Sequence, residues 1–97
     1  MGVIMKVLVT FKISKGFEAW LKMVDDIQHI MDELGIKMHW AGTNPEETTV
    51  YDLVEVSNPE DAKVFAQRED VAKARSEAGV EVESTETLSV ISKDKFW

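Results

Sequence analysis

The order in which two hydrophobic periodicities alternate constrains this chain more than any single residue does. Apolar residues recur at every second position, then at helical spacing, then at every second position twice, then at helical spacing and finally at every second position again. The resulting βαββαβ order fills nearly all of the 97 residues. Such a unit covers one face of its sheet with helices and leaves the other face to be covered by something else. The order speaks to architecture, whereas no stretch of residues carries a chemical signature of its own.

The first run, residues 3–13, places Val3, Met5, Val7, Val9, Phe11 and Ile13 on one face and Ile4, Lys6, Leu8, Thr10 and Lys12 on the other. The wholly apolar face is expected to meet the helices. The mixed face suits partial burial, because lysine stems cover apolar surface while their ammonium groups reach water. Ser14 is a candidate cap for one long helix in which Phe17, Trp20, Leu21, Val24, Ile27, Met31 and Leu34 form a stripe that stops at Gly35. Met23 and Ile30 widen that stripe beyond the needs of one sheet face, which points to a further contact on its flank, such as a second subunit.

A second strand is expected over 36–41, a turn over 42–47 around Thr43-Asn44-Pro45, and a third strand over 48–56. In the third strand Asp52 stands at a period otherwise made of valine. It is either at an edge in water or a buried carboxylate in need of a partner. Asn58 as cap, Pro59 at the first helical position, and Glu60 and Asp61 in the first turn specify a helix start. The apolar spacing loses step around Arg68-Glu69-Asp70, predicting a break before a shorter helical piece that ends at Gly79. Residues 83–92 form the last strand, and 93–97 are a tail on what is expected to be a single domain spanning 1–97.

Composition narrows the function classes. The formal charge of −7 is unevenly placed, with twelve acids against four bases in residues 41–92. Clustered Lys and Arg, needed for phosphate backbones or an anionic membrane surface, are absent, so neither nucleic acid nor membrane is an expected partner. No apolar run approaches membrane-spanning length, and no basic leader or cleavage site is visible, so a soluble, cytoplasmic protein is expected. Cysteine is absent, which excludes disulfides and thiolate chemistry and leaves the redox compartment open. The acid pairs read as a solvated face, with no carboxylate spacing suited to calcium, and neither metal nor cofactor is expected.

With the helix carrying Phe17-Glu18-Ala19-Trp20, the turn into Gly35-Ile36-Lys37, and the run from Ser57-Asn58-Pro59 into Ala78-Gly79-Val80, the chain resembles small uncharacterised members of the dimeric α/β-barrel superfamily, the group that includes antibiotic-biosynthesis monooxygenases. The resemblance covers essentially the whole chain. It implies an α+β, ferredoxin-like protomer with a four-stranded antiparallel sheet, helices on one face and a second copy's sheet on the other. It also implies apolar or amphipathic ligands held between helices and sheet. A homodimer agrees with the physics, since Ile4 and Leu8 on the second face would otherwise contribute to a large exposed apolar patch.

Within that frame the candidate ligand-binding residues are Trp20, Val24, Ile27 and Met31 on the first helix, Phe65 on the second, and His39, Trp40 and Tyr51 on the strands. A fatty-acyl or polyketide-like molecule fits such a set, its carboxylate met by His39, Tyr51, Lys6 or Lys12. His39 and Trp40 are adjacent on a strand and are expected on opposite faces. His39 is also the candidate general base for a cofactor-independent oxygenase, with Tyr51 or Trp40 as donor. That alternative lacks the first-strand asparagine of haem-degrading relatives, and Arg68 and Arg75 have acids nearby to pair with. Binding asks less of these residues than catalysis and is the favoured reading. A protein-protein interaction module with no small ligand is the third.

Overall fold

The computed structural model describes residues 4–97, so Gly2 and the Val3 assigned to the first strand lie outside the described residues. Along the chain run β1 (Met5–Ile13), α1 (Phe17–Asp26), α2 (Gln28–Glu33), β2 (Ile36–Thr43), β3 (Thr49–Val56), α3 (Pro59–Gln67), α4 (Glu69–Glu77) and β4 (Val80–Ile91). The four strands form one antiparallel sheet in the order β2-β3-β1-β4, with each helical pair connecting strands that are not neighbours. This is the ferredoxin-like arrangement.

The apolar face of β1 is the helix-facing one. Phe11 and Ile13 are buried, and Met5 and Val9 pack against the same core, together with Val50 and Val56 of β3 and Ile36 of β2. Trp20 anchors α1 to this core, its indole stacked on Phe17 at 5.6 Å and tilted against Phe11 at 5.7 Å. Met23 and Ile30 are buried in the same protomer, so the widened helical stripe is used internally rather than on a flank.

The first helical region is broken rather than continuous. Ile27, at φ −103° and ψ 9°, separates α1 from α2 and turns Ile30 and Met31 into the core. Nor does Ser14 cap it. The residue before α1 is Gly16, and the orphan amide of Phe17 donates to Glu47 Oε1 at 2.9 Å, while the Ser14 hydroxyl donates to the carbonyl of Gly79. A side chain from the β2-β3 turn therefore does the work expected of a local cap. Asn58 does cap α3, accepting from the Glu60 amide at 3.0 Å, and the break falls at Arg68, whose ψ of 130° ends α3 and opens α4.

β2 and β4 are longer than the sequence reading has them, and the other strand limits agree to within two residues. β2 continues to Thr43 because Asn44 Oδ1 accepts from the amides of Thr48 and Thr49, tightening the turn to the residues after the strand. β4 starts at Val80, which pairs with Ile13 directly after Gly79 closes α4. Gly79 has φ +93°, and an added Cβ would lie 2.9 Å from the backbone nitrogen of Lys15, so the helix-to-strand corner requires glycine twice over.

The register shifts at three places, between Met38 and Trp40 of β2 and, on the β1-β4 ladder, between Leu8 and Val9 and between Thr10 and Lys12 of β1. In β2 the pairing passes from Met38↔Val54 to Trp40↔Leu53, leaving His39 as the extra residue. In β4 the pairing passes from Val9↔Thr87 to Leu8↔Ser89, leaving Leu88 extra. No helix among the described residues is long and apolar enough to cross a membrane.

Candidate functional site

Between the helices and the sheet lies a partly open cavity of about 410 Å³, within the usual range for small-molecule sites. Its existence follows from how α3 sits. None of its residues is fully buried: Ala62 and Phe65 pack against the edge of the core, and with Ala66 they also line the cavity. The opposite wall comes from Trp20, Val24, Ile27 and Met31 of the first helical region, and the floor from Val7, Val9 and Phe11 of β1 with Met38 and Val54. Val90 of β4, half-exposed although it faces inward, and Lys63 of α3 stand on the lining too.

Against these apolar walls stand a few polar groups. Asp52 of β3 is 5% exposed, and its Oδ1 is fully buried with no hydrogen-bond partner among the described residues. Its cross-strand neighbours, Val9 and Ala41, offer none. Burial raises its carboxyl from 3.8 to about 7, against a smaller opposing pull from the Arg75 guanidinium. The sequence thus left two readings of Asp52 open, and the structure selects the buried one.

Arg75 reaches the same cavity from α4. One guanidinium nitrogen donates to Thr85 Oγ1 at 2.8 Å, and its plane-bearing carbon lies 5.1 Å from the Phe11 ring centroid. It makes no ion pair among the described residues. Burial pulls its affinity for the proton down while Asp52 opposes that shift, so the two charges attract without meeting. Arg68 behaves as its sequence surroundings suggest, in a two-bond pair with Asp70 on the surface. Arg75 does not, because the acids near it in sequence lie off its face of the helix. The missed signal was periodicity: Val71, Ala74, Arg75 and Ala78 form one stripe, and a cation on an apolar stripe is aimed at the core.

Five of the eight sequence candidates are brought together at the cavity: Trp20, Val24, Ile27, Met31 and Phe65. The other three are on the far side of the sheet. Tyr51 alternates with the inward Val50 and Asp52 and pairs with Thr10 and Gly42. Trp40 pairs with Leu53, and its ring covers Gly42, closing to 2.8 Å of where a Cβ would be. His39 Nε2 lies 3.0 Å from Glu55 Oε1, whose own partners are the outward Lys6 and Lys37. Because the bulge consumes one residue, His39 and Trp40 share the outer face instead of pointing to opposite ones. The expected carboxylate-binding lysines are displaced likewise, Lys6 being paired outward with Asp94.

The outer face itself is rich in apolar side chains. Trp40 is 51% exposed, with Tyr51 and Ile4 also exposed and Leu8 and Leu53 between them half-buried.

No family model matches the chain, and no curated protein matches it. Among solved structures, it is similar to the methylated RPA0582 protein, at 14% identity and a TM-score of 0.61 over 98% of this chain and 84% of that one. It is also similar to a dimeric protein of unknown function and ferredoxin-like fold from Bacteroides fragilis, at 20% identity and a TM-score of 0.49 over 88% of this chain and 92% of that one. The likeness to the first is one of fold.

Proposed function

We propose that this protein is a small-molecule carrier or sensor that holds an elongated apolar or amphipathic ligand between its helices and sheet. The cavity carries the reading. A chain of 97 residues that needs its whole core for stability has little reason to leave about 410 Å³ open between its helices and sheet, walled by apolar side chains that include Phe65 and Ala62. Methionines 23, 31 and 38 in the lining suit a ligand of irregular or variable shape, since their unbranched side chains adjust at small cost.

The same reading includes a homodimer formed through the outer sheet face. The molecule measures 38 × 33 × 21 Å, a two-layer slab whose broad side exceeds the ~800 Å² per partner of a standard interface. Trp40 and Tyr51 are the residue types that anchor such interfaces. Catalysis by His39 on the cavity's ligand is not part of this reading, because the sheet separates the imidazole from the cavity.

Native mass spectrometry of freshly purified protein, followed by denaturing release, tests both parts. The expected result is a dimer that releases a small lipophilic molecule. A dimer without adduct that also fails to take up any member of a panel of apolar and amphipathic probes would overturn the binding reading. A monomer at micromolar concentration would overturn the dimer.

A further inference from the structure

Resting on that binding reading, the polar end of the cavity specifies the head group of the ligand: we infer that the site takes an amphipathic carboxylic acid, its carboxylate gripped by Arg75 and met by Asp52, its alkyl portion along the methionine-rich wall. Three observations converge on this. Arg75 is a half-buried cation with no acidic partner within ion-pair distance among the described residues. A guanidinium has five N–H donors in a planar fork, and among the described residues the bond to Thr85 is the one its side chain makes, so an edge remains for a planar acceptor. Asp52, more than nine-tenths buried, is one of the few polar residues on the lining of the same cavity, and its Oδ1 has no hydrogen-bond partner among the described residues.

The two groups together choose the sign of the ligand. If Asp52 were ionised, Arg75 and Asp52 would cancel, and a neutral head would suffice. The surroundings of Asp52 argue for the neutral acid once an anion is present. From β1 and β2 its neighbours are Val9 and Ala41, and from α1 and α2 the cavity receives Trp20, Met23, Val24, Ile27 and Met31, none of them titratable. From β4 come the hydroxyls of Thr85 and Thr87. The charged groups that face the cavity are Arg75 from α4 and Lys63 from α3. An incoming carboxylate adds a negative charge beside Asp52, favouring proton uptake by Asp52, whose acid O–H then donates to the ligand. The occupied site holds one cation, one anion and one neutral donor, with each desolvated charge partnered. The apolar volume beyond this head suits a flexible chain, and Lys63 stands on the same lining.

The inference is tested on the wild-type protein with four ten-carbon probes that share a tail: decanoate, 1-decanol, methyl decanoate and decylamine. Binding is read by calorimetry or by quenching of tryptophan fluorescence. Decanoate is expected to bind about 30-fold more tightly than 1-decanol at pH 7, as charge-assisted hydrogen bonding gives. Arg75→Met is expected to abolish that preference, with Arg75→Lys restoring part of it. Calorimetry in buffers of different ionisation enthalpy should show about one proton taken up per decanoate at pH 8, and Asp52→Asn should remove that uptake. Equal binding of acid, alcohol and ester would overturn the head-group assignment while leaving the cavity reading intact, as would preference for the amine. Failure of all four to bind would overturn both.

Discussion

The buried carboxylate of Asp52 makes a quantitative forecast for folding that needs no knowledge of the ligand. In the unfolded chain this group releases its proton near pH 3.8, whereas in the fold it holds the proton to about pH 7. Between those values the native protein binds more protons than the unfolded chain, so stability falls as pH rises from about 4 to about 7 and the loss is complete above. The full cost is on the order of 4 kcal/mol, of which roughly 2–3 kcal/mol accrues between pH 5 and pH 8. Asp52→Asn is nearly isosteric and does not titrate. Every other ionisable group is common to both proteins, so their contributions cancel in the difference between them. Thermal unfolding followed by circular dichroism, at one protein concentration, should therefore show the variant gaining on the wild type by roughly 10–20 °C in Tm between pH 5 and pH 8. The absolute Tm of the variant is a poorer test, because a buried amide brings unsatisfied groups of its own. A difference that stays constant to within about 3 °C across this range would refute the reasoning, showing that Asp52 is either ionised throughout or already partnered.

Three further outcomes follow from the geometry. Trp40→Glu places a charge on the exposed apolar outer face, and should raise the dissociation constant of the proposed dimer by at least about 100-fold in native mass spectrometry or light scattering. Deleting His39 removes the extra residue of the β2 bulge while leaving Met38↔Val54 and Trp40↔Leu53 in register, so the chain should fold with Tm within about 5 °C of wild type and bind cavity ligands within about twofold. Gly79→Ala forces a side chain into a left-handed corner against Lys15, and should cost on the order of 2 kcal/mol, read as a lower midpoint in urea with unchanged slope.

Those parts of the fold written in local chemistry were legible in the sequence. The alternation of β1 identified its core face, Asn58 and Pro59 identified the start of α3, and the loss of step at Arg68 identified the break before α4. What escaped was set by contacts distant in sequence. The cap of α1 comes from Glu47, thirty residues away, and no local pattern announces it. The break at Ile27 leaves the apolar periodicity almost undisturbed, because a residue of ordinary turn geometry between two helices costs the stripe nothing. The helical and aliphatic wall of the cavity was readable from spacing. Its polar end was not, because Asp52 was judged without its neighbours and Arg75 by acids adjacent in sequence rather than by the stripe it occupies.

The β2 bulge shows how one inserted residue divides the sheet between two tasks. Under strict alternation Ile36, Met38 and Trp40 would share the inner face, and the indole of Trp40 would stand near Asp52. With His39 as the extra residue, Trp40 turns outward and Ala41 takes the inner position directly beside Asp52. The exchange acts on both faces together. Inside, a methyl group replaces an indole next to the buried carboxylate, which keeps the polar end of the 410 Å³ cavity from being filled by the protein itself. Outside, an aromatic side chain joins Tyr51, Leu53 and Leu8 on the face that lacks helices. A fold with one covered face and one bare face must solve both at once, and here the cavity on one side and the apolar patch on the other have a common cause in the backbone of a single strand.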